Sequence, residues 1–134
     1  MGPKKYLCLD VGERRIGVAV GDSQLRTAWA LTTVIVDGTE LTKLHALLND
    51  QQITDIVVGR PRNQSGEPTD QTKLTEDFVH KALDPLKLPI YWQDESVTSV
   101  MAEERLRATG KPYKKEDIDA QAAAIILQDF LEAL

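Results

Sequence analysis

The sequence predicts an α/β fold in which a five-stranded mixed sheet carries helices on both faces. Three observations carry that expectation. The chain opens with two short β-forming runs, 6–11 and 16–20, around a charged turn that contains glycine, the pattern of a hairpin. Farther on, apolar β-type runs alternate with stretches of helical periodicity, as βαβ crossovers require. In the first strand, Tyr6 and Cys8 share one face with Asp10, while Leu7, Leu9 and Val11 share the other. Both faces suit burial, so the strand is central and covered on both sides.

With 134 residues the chain is expected to form one domain, 1–134, large enough for a real core. A 42% hydrophobic and 28% charged composition is that of an ordinary globular protein. No apolar run approaches the ~18 residues of a membrane span. Met1-Gly2-Pro3-Lys4-Lys5 begins no signal-length apolar region, so a cytoplasmic protein without membrane attachment is expected. A lone cysteine, Cys8, excludes an internal disulfide and reads as a small buried hydrophobe in a reducing compartment. The net charge of −5 excludes a broadly basic, nucleic-acid-coating protein. Local clusters remain at Arg14 and Arg15, at Arg60 and Arg62, and at Lys111, Lys114 and Lys115. Such clusters suffice for phosphate contacts.

The elements follow in order. Tyr6–Val11 is the first strand, and Gly12 allows a close approach or a positive φ at its end. Ile16–Val20 is the second strand and Ala28–Val36 the third, with Trp29 packed at a core edge and Asp37-Gly38 closing it. A helix over Thr39–Asn49 buries Leu41, Leu44, Leu47 and Leu48, with His45 packed on the same side and Asp37 or Thr39 as cap. Ile53–Gly59 is a buried strand. Gly59–Pro68 is a long polar loop, the candidate substrate-contacting segment. A helix over Thr69–Leu83 turns Leu74, Phe78, Val79 and Ala82 inward and leaves His80 exposed. Leu88–Gln93 is the fifth strand, ending in Asp94-Glu95-Ser96. Thr98 or Ser99 caps a helix that Gly110 ends, and a last helix starts near Glu116.

Three acids break these patterns. Asp10 ends a strand suited to burial on both faces, and Glu95 follows another such strand. Asp119 lies on the stripe formed by Ala122, Ala123, Ile126 and Phe130. A capped, solvated strand end explains Asp10 blandly, and the helix dipole does the same for Asp119. Neither explains why Asp10 and Glu95 stand at the carboxyl ends of strands, where a mixed sheet gathers its ligands, with Asp119 entering from a helix that faces the sheet. Three converging carboxylates call for a cation. An all-oxygen set favours Mg²⁺ or Mn²⁺ over zinc.

The motifs also resemble a known family. Asp10-Val11-Gly12 followed by Ile16-Gly17-Val18-Ala19-Val20-Gly21 looks like the opening of the YqgF/RuvX family. Gly59-Arg60-Pro61 with Asn63 and Gly66 is similar to its Gly-Leu-Pro loop, and Asp94-Glu95-Ser96 with Thr98 to its Asp-Glu-Arg-x-Ser-Thr motif. Lys115, Asp119, Ala122, Ala123, Ile126 and Leu127 resemble its C-terminal pattern. Ser96 and Arg60 depart from the arginine and leucine usual there, which bears on substrate preference.

That resemblance implies a ribonuclease H-like fold and a metal-dependent nuclease. The family is described as Holliday-junction resolvases and pre-16S rRNA nucleases, so either a four-way DNA junction or a ribosomal RNA precursor is implied as substrate. By that resemblance Asp10, Glu95 and Asp119 would be its catalytic, metal-binding acids; Arg14, Arg60, Arg62, Asn63 and Lys115, which lie in or beside these motifs, are the candidate contacts to nucleic acid. The products would carry 5′-phosphates. Ribosome or transcription machinery would be the setting, with the protein a monomer or weak homodimer. Two other readings stand beside it. One is a phosphate-binding hairpin of the actin-like ATPase kind, which would need a second lobe. The other is a catalytically silent binding module on the ribosome or transcription machinery.

Overall fold

The computed structural model describes residues 2–61, 67–95 and 98–134, with backbone alone at 98–99. Its strands are β1 (Lys5–Val11), β2 (Arg15–Asp22), β3 (Thr27–Ile35), β4 (Asp55–Pro61) and β5 (Ile90–Glu95). Its helices are α1 (Glu40–Asp50), α2 (Asp70–Phe78), α3 (Thr98–Ala108) and α4 (Lys115–Glu132). The strands form one sheet in the order β3-β2-β1-β4-β5. β1, β2 and β3 pair antiparallel, whereas β1–β4 and β4–β5 are parallel, so the sheet is mixed as expected.

Both faces are covered, because both side-chain sets of the central strands are apolar. Leu7, Leu9, Val11, Val18, Ile56 and Val58 pack towards Leu44 of α1 and towards Val79 and Leu83 beyond α2. Tyr6, Cys8, Ala19 and Val57 pack against Ala123, Ile126 and Leu127 of α4. α3 adds Ala102 against Ala122 and Ile125 of α4. Fully burying each such aliphatic side chain contributes about 1.5–3 kcal/mol, so these two layers dominate stability.

Several local expectations shift. The predicted helix over Thr69–Leu83 is α-helical only to Phe78, then continues as a π turn over Val79–Leu83 and a 3₁₀ turn over Asp84–Leu86. Pro85 has no N–H to close an α-helical bond, which stops the helix there. His45 is exposed rather than packed, because Leu44 alone of α1 is fully buried. Trp29 is 41% exposed on β3, the outer strand of the sheet. Asp37 accepts from the backbone and hydroxyl of Thr39, while Thr39 itself makes no side-chain cap. The capping hydroxyls expected at Thr98 and Ser99 lie outside the described side chains.

The displacement with the largest consequence is at β4 and β5. Each ends two residues later than its apolar run, because the ladder continues through Gly59–Gln93, Arg60–Asp94 and Pro61–Glu95. Arg60 and Glu95 are therefore strand residues, and strand alternation decides which face each one serves.

Candidate active site

Asp10, Glu95 and Asp119 share one face of the sheet. Asp10 follows Tyr6 and Cys8 on the side that α4 covers, and lies opposite Gly17 in β2. Glu95 follows Tyr91 on the same side and lies opposite Pro61 in β4. Strand β4 runs between them. One position past the Leu9–Val58 pair, Asp10 stands level with Gly59. Neighbouring strands are about 4.8 Å apart, so Asp10 and Glu95 start about two such spacings from each other. Gly59 removes the obstacle. A Cβ there would collide with Glu95 Oε2 and stand 2.9 Å from Ile126 Cδ1. The Glu95 side chain thus lies over bare backbone and reaches Asp10, with which it hydrogen-bonds.

The two carboxyls share a proton. Burial pushes Glu95 up to about 8, with the Asp10 charge and the hydrogen bond to Asp10 acting in the same direction. Burial also raises Asp10, to about 6, and the Asp119 charge raises it further, while the hydrogen bond from Glu95 opposes both. Among the described residues, Glu95 Oε2 is buried and has no hydrogen-bond partner. Cys8 lies on the same face of β1, fully buried. Burial pushes its thiol well up, and both carboxylates add to that. It is an inert core thiol, not a nucleophile.

Asp119 is placed by a second glycine. A side chain at Gly17 would collide with the Asp119 carbonyl oxygen, so α4 crosses β2 in direct backbone contact. The Thr33 hydroxyl donates to Glu116 O at 2.5 Å and fixes the start of α4 against β3. Asp119 lies beyond the first turn of α4, which dulls the dipole explanation. Its carboxylate has a specific partner: Arg15 Nε donates to Asp119 Oδ2 at 2.5 Å. The pair is partly open to solvent, with the side chains 32% and 26% exposed. Hydrogen bonding and charge from Asp119 raise the Arg15 pKa. So Asp119 is close enough to act on Asp10 electrostatically, but it is engaged by arginine. Among the described residues, no three His, Cys, Asp or Glu side chains already stand at metal-holding positions.

The expected substrate contacts are distributed differently. Arg60 points to the opposite face, where its guanidinium lies 4.4 Å from the Trp92 ring centroid. Its Nε is buried without a hydrogen-bond partner. It lines a groove of about 490 Å³ with Glu76, Asp77, His80 and Asp84, away from the acids. Arg14 is exposed in the turn after β1, where its carbonyl accepts from Val36 N–H at 2.9 Å. Lys115 is exposed at the start of α4. Arg62, Asn63, Gly66 and Ser96 lie outside the described residues. Arg15, which the sequence shows only as one of a basic cluster, is the added residue of the site through its pairing with Asp119. Its signal was available in the hairpin: Gly17 pairs with Asp10, so Arg15, two residues earlier, falls on the same face.

A family model described as RuvX, Holliday junction resolvase, matches residues 4–133. A relative from Chloroflexus aurantiacus, named "Putative pre-16S rRNA nuclease", is 41% identical over 99% of this chain and 90% of its own length. One of the same name from Chloroflexus aggregans is 42% identical over 99% and 96%. Among solved structures, Thermus thermophilus RuvC in complex with a Holliday junction substrate superposes with a TM-score of 0.57 at 18% identity, covering 97% of this chain and 94% of that one. A second structure of Thermus thermophilus RuvC gives 0.53 at 15% identity, covering 96% and 95%. These two establish a shared fold, the ribonuclease H-like α/β architecture.

Proposed function

Because the chain belongs to the RuvX family, we propose that it is a metal-dependent nuclease that hydrolyses phosphodiester bonds at the 5′ end of a 16S ribosomal RNA precursor. Full-length relatives about 40% identical carry that substrate in their name, which favours it over a DNA junction. Family membership favours this reading over the actin-like and silent-module readings. A precursor of ribosomal RNA as substrate puts the work in the cytoplasm, beside assembling ribosomes. Among the described residues no helix is long and apolar enough to cross a membrane.

The observation that carries the site is the Asp10–Glu95 pair with its orphaned oxygen. Two half-buried carboxyls that share one proton, one of them with a buried, unpartnered Oε2, form the environment that a hard cation completes. Asp10 and Glu95 would hold Mg²⁺ or Mn²⁺, and Asp119 would join them once free of Arg15. When bound, such ions activate water and stabilise the leaving 3′-oxygen. The protein's own part is to keep three oxygen donors on one sheet face, to exclude bulk water from Asp10 and Glu95, and to give up the shared proton as ligands are needed. Arg14 and Lys115, both exposed and cationic, are assigned to the nucleic-acid backbone, together with Arg62 by its charge and Asn63 on the family pattern.

One preparation should be given Mg²⁺ with precursor RNA and, separately, with a four-way DNA junction. The expected result is RNA cleavage leaving 5′-phosphates, abolished by Asp10→Asn. Cleavage of the junction alone would overturn the RNA reading. Undiminished activity in EDTA or in Asp10→Asn would overturn the site.

A further inference from the structure

The Arg15–Asp119 pair stands in the way of the site it borders. Asp119 is the acid placed to complete the donor set, yet its Oδ2 is taken by Arg15 Nε at 2.5 Å. Consistently, no three acids are gathered at metal-holding positions among the described residues. Arg15 is held on the same face as Asp10 by the β1–β2 register, so its guanidinium is at the edge of the proposed reaction site. Guanidinium binds carboxylate and phosphate in the same forked geometry, and an arriving phosphodiester is therefore a competing partner for it.

We propose that Arg15 is a positioning residue that couples metal loading to substrate arrival, holding Asp119 until a backbone phosphate draws the guanidinium away and frees the carboxylate for the second ion. The inference rests on the metal-dependent nuclease reading above. Arg15 opposes metal binding in two ways: it occupies a ligand and it adds a positive charge beside the site. Nucleic acid relieves both. By linkage, the factor by which nucleic acid tightens metal binding equals the factor by which metal tightens nucleic-acid binding.

The test is calorimetric titration of Mn²⁺ into wild type, Arg15→Ala, Asp119→Asn and the double variant, without nucleic acid. Arg15→Ala should bind Mn²⁺ about threefold or more tightly than wild type, the scale of a partly exposed ion pair. In the Asp119→Asn background the same Arg15→Ala change should gain much less, because the competition no longer exists. Arg15→Lys, which keeps the charge with poorer geometry, should fall between wild type and Arg15→Ala. Repeating the titrations with Ca²⁺ and a precursor RNA fragment should show a smaller coupling factor in Arg15→Ala than in wild type.

Unchanged or weaker Mn²⁺ binding by Arg15→Ala would overturn the proposal and make Arg15 a structural support for Asp119. An equal gain in both backgrounds would reduce its role to bare charge and also overturn it. Asp10→Asn separates this from failure of the site itself. If that variant binds Mn²⁺ as wild type does, the metal site is elsewhere, whatever Arg15 does. Arg15→Gln, which keeps side-chain length without charge, replaces Arg15→Ala should the alanine variant not fold.

Discussion

Glu95 reaches Asp10 across Gly59, on the strand between them, where a side chain would collide with Glu95 Oε2. The contact is made possible by an absent side chain, so its geometry can be tested from β4 without touching either acid. Gly59→Ala should push Glu95 off Asp10 and press on Ile126, at a cost of about 1–3 kcal/mol. Cleavage and Mn²⁺ affinity should fall while the fold survives. A variant with unaltered Mn²⁺ affinity would show that the metal does not need the crossing.

The shared proton makes metal-free stability depend on pH. Glu95 titrates near 4.5 in the unfolded chain and at about 8 in the folded one, and Asp10 is raised to about 6. The native state therefore binds more protons than the unfolded chain between those limits, so stability falls as pH rises through that window. The loss is absent below the unfolded value and complete above the folded one. Glu95→Gln keeps a donor to Asp10 at every pH. Urea melts in EDTA from pH 5 to 9 should show wild type falling relative to this variant. Parallel curves would mean that the proton is not shared. Excess Mg²⁺ should reverse the wild-type trend, because ligation needs the proton gone.

Arg60 separates what sequence position suggests from what strand alternation dictates. In sequence it stands in a polar stretch beside Arg62 and reads as a phosphate contact. In the fold it stacks on Trp92, on the face away from Asp10. Arg60→Ala should lower stability by about 0.5–2 kcal/mol through the lost cation–π contact. It should leave the salt dependence of nucleic-acid binding unchanged. A slope reduced by about one would instead place Arg60 on a phosphate.

That contrast shows what the sequence could carry. Asp10 and Asp119 were legible as candidates because each is a charge in an otherwise apolar pattern, and Glu95 because it ends an apolar strand run; such breaks are local. The order of strands and helices was legible from periodicity. The ends of β4 and β5 were not, since Gly59, Arg60 and Pro61 are poor strand formers held by their neighbour's ladder. The pairing of Arg15 with Asp119 was not legible because the two lie 104 residues apart, and only tertiary packing brings them together. Gly17 and Gly59 read as generic motif glycines, because a steric vacancy has meaning only once the element that fills it is known.

The same long-range pair settles what removing Asp119 should do. From charge counting alone, Asp119→Asn deletes one of three like charges and should stabilise the metal-free protein. Arg15 opposes that, since the variant also loses an ion pair of about 0.2–1 kcal/mol at this exposure. Asp119→Asn should therefore lie within about 1 kcal/mol of wild type in EDTA. Arg15→Ala loses the same pair but leaves the Asp119 charge uncompensated beside Asp10, whose pKa that charge already raises. It should be the less stable of the two at pH 8, where Asp10 is ionised. The gap should narrow below the raised Asp10 value of about 6, where Asp10 holds its own proton. With excess Mg²⁺ the divergence grows, because a ligand stabilises only the state that binds it. The Tm of Arg15→Ala should rise at least as far as that of wild type, and the Tm of Asp119→Asn much less. Equal stabilities at pH 8, with equal responses to Mg²⁺, would mean that Asp119 serves Arg15 and not the metal site.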